Sequence, residues 1–235
     1  RDRPHSLLGL ACLSLMAVIC RFIIGTFGTT LVEGYIRSFF LYLVVGILYY
    51  FIFYTLYAFV AGGKKGVKAF WKNAVAPTLT ALATCSSAAT IPVNITATKK
   101  MGVPADIAET TVPLGTSFHK DGTIIGSMFK IMFLVCLFGT PMTTVGEILG
   151  MLGIALVANL LVTAVPIGGG TISEMLIITM MGYPVAALPI LTIIATIIDP
   201  PATMLNVCGD IPSAMLIEKS LKINYLDNEL KTLRS

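Results

Sequence analysis

The chain has 235 residues, of which 56% are apolar and only 12% charged; ordinary soluble domains carry about 25% charged residues. With a mean hydropathy of +0.88, it has too little polar surface for a soluble enzyme, a disordered protein or a nucleic-acid binder, and a net charge of +4 does not alter that. What remains is an integral membrane protein, and the long apolar stretches below read as helices of an all-α fold. Its five cysteines (Cys12, Cys20, Cys85, Cys136, Cys208) are widely spaced, show no metal-binding spacing and read as small buried apolar residues. The chain opens at Arg1 without a cleavable signal, which predicts that an N-terminal part of a longer protein precedes it.

A helix crosses a bilayer with about 20 apolar residues. Ser6 to Val32 is apolar apart from Arg21, and Ser38 to Gly63 carries no charge, so both read as spans joined by a turn at Glu33 to Arg37. A cationic patch follows (Lys64, Lys65, Lys68, Lys72), with Trp71 as an interfacial anchor. Asn73 to Thr98 is uncharged but rich in Thr, with Ser86-Ser87 at its middle, and Lys99-Lys100 closes it. Cationic residues at both ends put both ends on the cytoplasmic side, which predicts a re-entrant hairpin.

Thr110 to Gly139 is interrupted by His119, Lys120 and Asp121. Ile148 to Ser173 contains Val165-Pro166-Ile167-Gly168-Gly169-Gly170, which cannot sit in a straight helix and predicts the tip of a second hairpin. Gly182 and Pro184 precede the last span. Two broken segments entering from opposite faces suggest an inverted repeat with a site where the tips meet.

The last span carries Asp199, Thr203, Asn206 and Asp210. Eleven helical steps from Asp199 to Asp210 return to within about 20° of one face. A charge at mid-membrane costs about 2.5–3.5 kcal/mol even on insertion scales, whereas an interhelical polar bond there gives about 0.6–2 kcal/mol. Two carboxylates on one face therefore favour a cation or ligand site over a packing device. Pro200-Pro201 free the carbonyls of Thr196 and Ile197 and predict a bend beside Asp199. An intramembrane enzyme using Asp199 and Asp210 as an acid–base pair is a remote alternative, since about 16 Å of helix separates them.

These residues resemble the dicarboxylate/amino acid:cation symporters, the family of glutamate transporters and bacterial serine/threonine symporters, over Ser6 to Leu221, the C-terminal half of such a protein. Cys85-Ser86-Ser87-Ala88-Ala89-Thr90-Ile91-Pro92-Val93 is similar to the family's serine-rich first hairpin. Pro113-Leu114-Gly115-Thr116-Ser117-Phe118-His119-Lys120-Asp121-Gly122-Thr123 resembles its PLGATINMDGT signature. Val165-Pro166 with its glycines resembles the second hairpin tip, and Asp199, Thr203, Asn206, Gly209 and Asp210 the last-helix motif.

The resemblance implies a glutamate-transporter-like elevator fold with two re-entrant helical hairpins and a broken last helix. It implies a homotrimer in the cell membrane and no enzymatic activity. Residues 1–34 would hold a scaffold helix and residues 35–222 a transport domain (helix 38–63, hairpin 73–98, helix 108–139, hairpin 146–182, last helix 185–221). Residues 223–235 would form a cytoplasmic tail. By position, Ser86, Ser87, Thr123, Val165, Gly169, Asp199, Ala202, Thr203 and Asn206 would surround a substrate. Asp199 would meet an amino acid's ammonium; Ser87, Asn206 and hairpin amides would hold its carboxylate. Asp210 with the carbonyls of Gly115, His119 and Asn206 would form one sodium site, the Ser117 carbonyl would serve another, and Asp121 a third. No other cofactor is implied.

Two departures redirect these expectations. Ala202 stands where acidic-substrate members carry arginine, and Cys85 stands where bacterial members often do, so the resemblance points to a neutral amino acid such as serine, threonine or alanine. The alternative is a proton-coupled or sodium-independent transporter of another small organic acid or zwitterion. The family's Asn-Met-Asp is here His119-Lys120-Asp121. A buried ammonium does not stay unpaired, so Lys120 is expected to seek Asp121, Asp199 or Asp210 and take the electrostatic place of a sodium ion.

Overall fold

A computed structural model describes residues 31–140, 144–162 and 169–232. Among these residues all regular structure is helical. The helices are α1 (Leu31–Asn73), α2 (Val75–Thr84), α3 (Ser87–Lys100), α4 (Ala105–Phe118), α5 (Asp121–Phe138), α6 (Val145–Val162), α7 (Gly169–Met181) and, after a 3-10 turn at Val185–Ala187, α8 (Leu188–Thr232). Three stretches, Glu33–Asn73, Ala105–Phe138 and Val185–Lys222, are long and apolar enough to cross a membrane. The predicted scaffold helix, Ser6 to Val32, falls almost wholly outside the described residues, as does Val165 at the second hairpin tip.

Helix α1 is inside-out for a soluble protein. Phe40, Val44, Phe51 and Ile52 are exposed, while Tyr42 and Tyr54 are fully buried. Apolar residues facing outward and hydroxyls facing inward suit a lipid surround, where polar groups must find partners within the protein. The predicted turn at Glu33 to Arg37 is helical instead: Arg37 pairs with Glu33 one turn away, and Gly34 lets the ring of Phe133 approach the backbone. The break in α1 comes at Gly62 and Gly63, the latter at φ 60°, a conformation that favours glycine. Beyond it the chain doubles back. Gly66 lies against the Ala58 carbonyl, Trp71 Nε1 donates to Thr55 Oγ1 at 3.0 Å, and the Trp71 ring stacks on Phe51 at 5.0 Å between centroids. Trp71 is thus packed within the aromatic cluster rather than serving only as an outward anchor.

The described chain divides into two units. In the first (residues up to Gly46 with Gly122–Ala202), α6 and α7 pack together as a hairpin whose connecting residues 163–168 lie outside the described set. Asn159 Nδ2 on α6 donates to Ser127 Oγ on α5 at 2.8 Å, and the Tyr42 hydroxyl donates to the Gly122 carbonyl at 2.9 Å. In the second unit (Ile47–Asp121 with residues from Thr203), α2 and α3 form a hairpin turned at Cys85 and Ser86. Thr90, Asn94 and Thr98, spaced by four, form the buried face of α3, and Asn94 Nδ2 donates to the Val207 carbonyl on α8 at 2.8 Å. Val103, Ala108, Ala214 and Met215 close an apolar core in the same unit.

Helix α8 corrects the expectation of a broken last helix. It is helical from Leu188 to Thr232, through Pro200 and Pro201 and on past Leu221 into the predicted tail. A proline forfeits its own N–H and disturbs one carbonyl, while the bonds of the flanking turns carry the helix through.

Candidate functional site

The second unit contains a cluster of ionisable groups where α4 breaks. His119 ends α4 in an extended conformation (φ −83°, ψ 102°), its backbone N–H bonded to the Gly115 carbonyl at 2.7 Å. Asp121 then opens α5, where the positive end of a helix favours a carboxylate. The break turns the His119 side chain toward α8.

The His119 imidazole lies between two carboxylates. Its Nε2 donates to Asp121 Oδ2 at 2.7 Å, and its Nδ1 is 3.3 Å from Asp210 Oδ1. Nδ1 and Oδ1 are both buried, and neither makes a hydrogen bond. The Tyr49 hydroxyl also donates to Asp121 Oδ2 at 2.7 Å. Thr116 Oγ1 lies 3.0 Å from the Val112 carbonyl and 3.3 Å from Asp210 Oδ2, sharing one proton between them. Lys120 is half-buried, and its ammonium donates to the Thr116 carbonyl at 2.9 Å. Two glycines make this packing feasible. A Cβ on Gly115 would strike the Asp210 carboxylate, and one on Gly209 would strike the His119 ring.

Of the expected cation-site residues, Gly115, Ser117, His119, Asp121, Asn206 and Asp210 all belong to this second unit. The side chain between the carboxylates is that of His119; Lys120, expected to be the tethered cation, bonds the Thr116 carbonyl and interacts electrostatically with Asp210. Of the expected substrate residues, Ser86, Ser87, Thr203 and Asn206 lie in the same unit. Ser86 caps α3 by accepting the Ala89 N–H at 3.3 Å; Thr203 and Asn206 are buried. Thr123, Asp199 and Ala202 belong to the first unit. Asp199 is exposed, and Ala202 is buried with its backbone where a Cβ on Gly122 would stand. Gly169 is the first residue of α7.

Tyr49 and Thr116 are members of the cluster that the sequence did not single out. Tyr49 is one of several tyrosines in an aromatic span, so only the tertiary fold distinguishes it. Glu174 was missed as well: it is 1% exposed and lies 3.5 Å from Lys130 in the first unit.

An all-helical membrane protein with intramembrane carboxylates, hydroxyls and cations gathered at helix breaks has the makings of a solute or ion transporter. The chain matches the sodium:dicarboxylate symporter family over residues 6–220 and belongs to it. That family consists of transporters, which sets aside the acid–base enzyme reading of Asp199 and Asp210. The chain is 27% identical over 208 residues to excitatory amino acid transporter 2 of Mus musculus, covering 88% of this chain and 35% of that protein. It is 30% identical over 148 residues to neutral amino acid transporter A of Homo sapiens, covering 63% of this chain and 27% of that protein. An excitatory amino acid transporter of Caenorhabditis elegans is 25% identical over 155 residues, 66% of this chain and 30% of the relative. The chain thus spans about a third of the length of the curated relatives it matches.

The family name implies sodium as coupling ion, and the donor set can be tested for it. A sodium ion on Asp210 would need the oxygens that now face His119 and Thr116, and the Gly115 carbonyl already accepts the His119 N–H. Asp121 Oδ2 already accepts from two donors. In this arrangement the residues do not fit a free cation between the two carboxylates.

Proposed function

We propose that the chain is the mobile half of a secondary transporter that carries a neutral amino acid such as serine, threonine or alanine by an elevator movement, within a homotrimer in the cell membrane. The two helical hairpins enter the membrane and return without crossing it. Family membership supports the transport class. The observation that carries the substrate choice is Ala202, a buried methyl where the acidic-substrate pattern has an arginine. Without that guanidinium a side-chain carboxylate has no two-point partner.

The roles of individual residues follow the family pattern. Asp199 is the charge partner of the ammonium. The amides at the start of α3, next to Ser86 and Ser87, and the Asn206 amide take the carboxylate, as a helix N-terminus does for anions. Thr123, Val165, Gly169 and Thr203 complete the contacts.

The test is uptake into proteoliposomes. Saturable uptake of labelled serine, threonine or alanine, competed by the unlabelled solute and not by aspartate, is the expected result. Aspartate uptake exceeding all three would overturn it.

A further inference from the structure

We infer that no sodium ion binds between Asp121 and Asp210 in this protein, because the His119 imidazole ring fills that place. This rests on reading the cluster as the family's cation site and not on transport itself.

Distance carries the inference. Two carboxylates converge on one ring, at 2.7 Å and 3.3 Å, one from each nitrogen. The Asp210 side chain has no exposure to solvent and that of His119 only 17%.

Space gives the second argument. A sodium ion bridging Nδ1's position and Asp210 Oδ1 would need room that a 3.3 Å separation does not leave. The ring is held there from behind by Gly209, where any side chain would collide with it. The carboxylate is held by Gly115 in the same way. Tyr49 on α1 adds a donor to Asp121, and Thr116 adds one to Asp210. Lys120 bonds the Thr116 carbonyl, within electrostatic reach of Asp210. Tyr49 and His119 Nε2 therefore donate to Asp121, and Thr116 donates to Asp210.

The experiment is sodium binding to the purified protein in detergent, read as a melting shift and as retained labelled sodium, with potassium at equal ionic strength as the control. The natural protein is expected to show no sodium-specific shift. His119→Asn, which removes the ring but keeps the backbone carbonyl, is expected to gain one, with sodium binding at least about tenfold tighter, the worth of roughly one charge-assisted bond. A sodium-specific shift in the natural protein that Asp210→Asn abolishes would overturn the inference. That arm remains readable if His119→Asn fails to fold: a natural protein whose response to sodium is absent, or is untouched by Asp210→Asn, upholds it. Because no arm measures transport, failure of the transport reading leaves the result standing.

Discussion

Lys130 on α5 and Glu174 on α7 face each other at 3.5 Å, with 4% and 1% of their surfaces exposed. Thr192 at the start of α8 donates its hydroxyl to the other Glu174 oxygen at 2.7 Å. The pair therefore fastens the second arm of the α6–α7 hairpin to α5, within the first unit. Removing one partner of a buried ion pair leaves the other charge uncompensated and costs about 3–5 kcal/mol. Glu174→Gln or Lys130→Met alone is expected to lower the melting temperature sharply. The double variant Lys130→Met/Glu174→Leu should cost clearly less than the sum of the two. Additive losses in a double-mutant cycle would show that the pair is not coupled.

The glycine behind the imidazole gives a second test. Gly209→Ala forces its new methyl into the His119 ring, and overpacking of this kind costs about 1–3 kcal/mol. In a His119→Ala background the same substitution should cost little, because the ring it would strike is gone. Equal costs in the two backgrounds, measured by thermal unfolding, would mean that the ring does not rest on Gly209.

Substrate choice can be moved at the last helix. Asp199→Asn should weaken binding of every amine-bearing solute by removing the charge partner of the ammonium. Ala202→Arg should shift preference toward aspartate, since a guanidinium meets a carboxylate in two-point fashion. Competition binding with serine and aspartate checks both. An unchanged serine-to-aspartate ratio in Ala202→Arg would remove Ala202 from the substrate's surroundings.

The turn of the first hairpin offers a chemical probe. Among the described cysteines Cys85 and Cys136 are exposed, against the expectation of buried residues, and Cys208 is buried, so labelling is read at Cys85 in a Cys136→Ala background. A water-soluble maleimide should modify that variant at Cys85 and spare Cys208, with Cys85→Ala as the control. Serine should slow the reaction at Cys85, because Ser86 and Ser87 are its neighbours in the proposed carboxylate subsite. Labelling that is indifferent to serine would place the substrate elsewhere.

Much of the helix order is legible in the sequence, because a lipid surround makes long apolar runs and Pro/Gly/Ser interruptions unambiguous. The turn at Cys85–Ser86 falls at such an interruption, whereas the break at His119–Lys120 divides what the sequence predicts as one helix over 108–139. The fold-back at Gly62–Gly63 was hidden, since a glycine pair ahead of lysines reads equally well as a helix end. The Glu33–Arg37 turn was misplaced because clustered charges suggest an exit from the membrane, whereas here they pair one helical turn apart. In the site, the residues are legible and their partners are not. Adjacent residues at a helix break point in different directions, and only the backbone turn decides that His119 meets the carboxylates while Lys120 meets a carbonyl.

The doubling-back of α1 bears on the order in which the protein is made. Trp71 finds Thr55 across 16 residues of chain, so this aromatic cluster closes from neighbours as soon as that stretch is synthesised. Tyr54 waits much longer: its hydroxyl meets the Leu205 carbonyl 151 residues later. The Asp210 carboxylate meets Thr116 across 94 residues. On the ribosome, His119 therefore has Asp121 beside it from the start and meets Asp210 only once that part of α8 has been made.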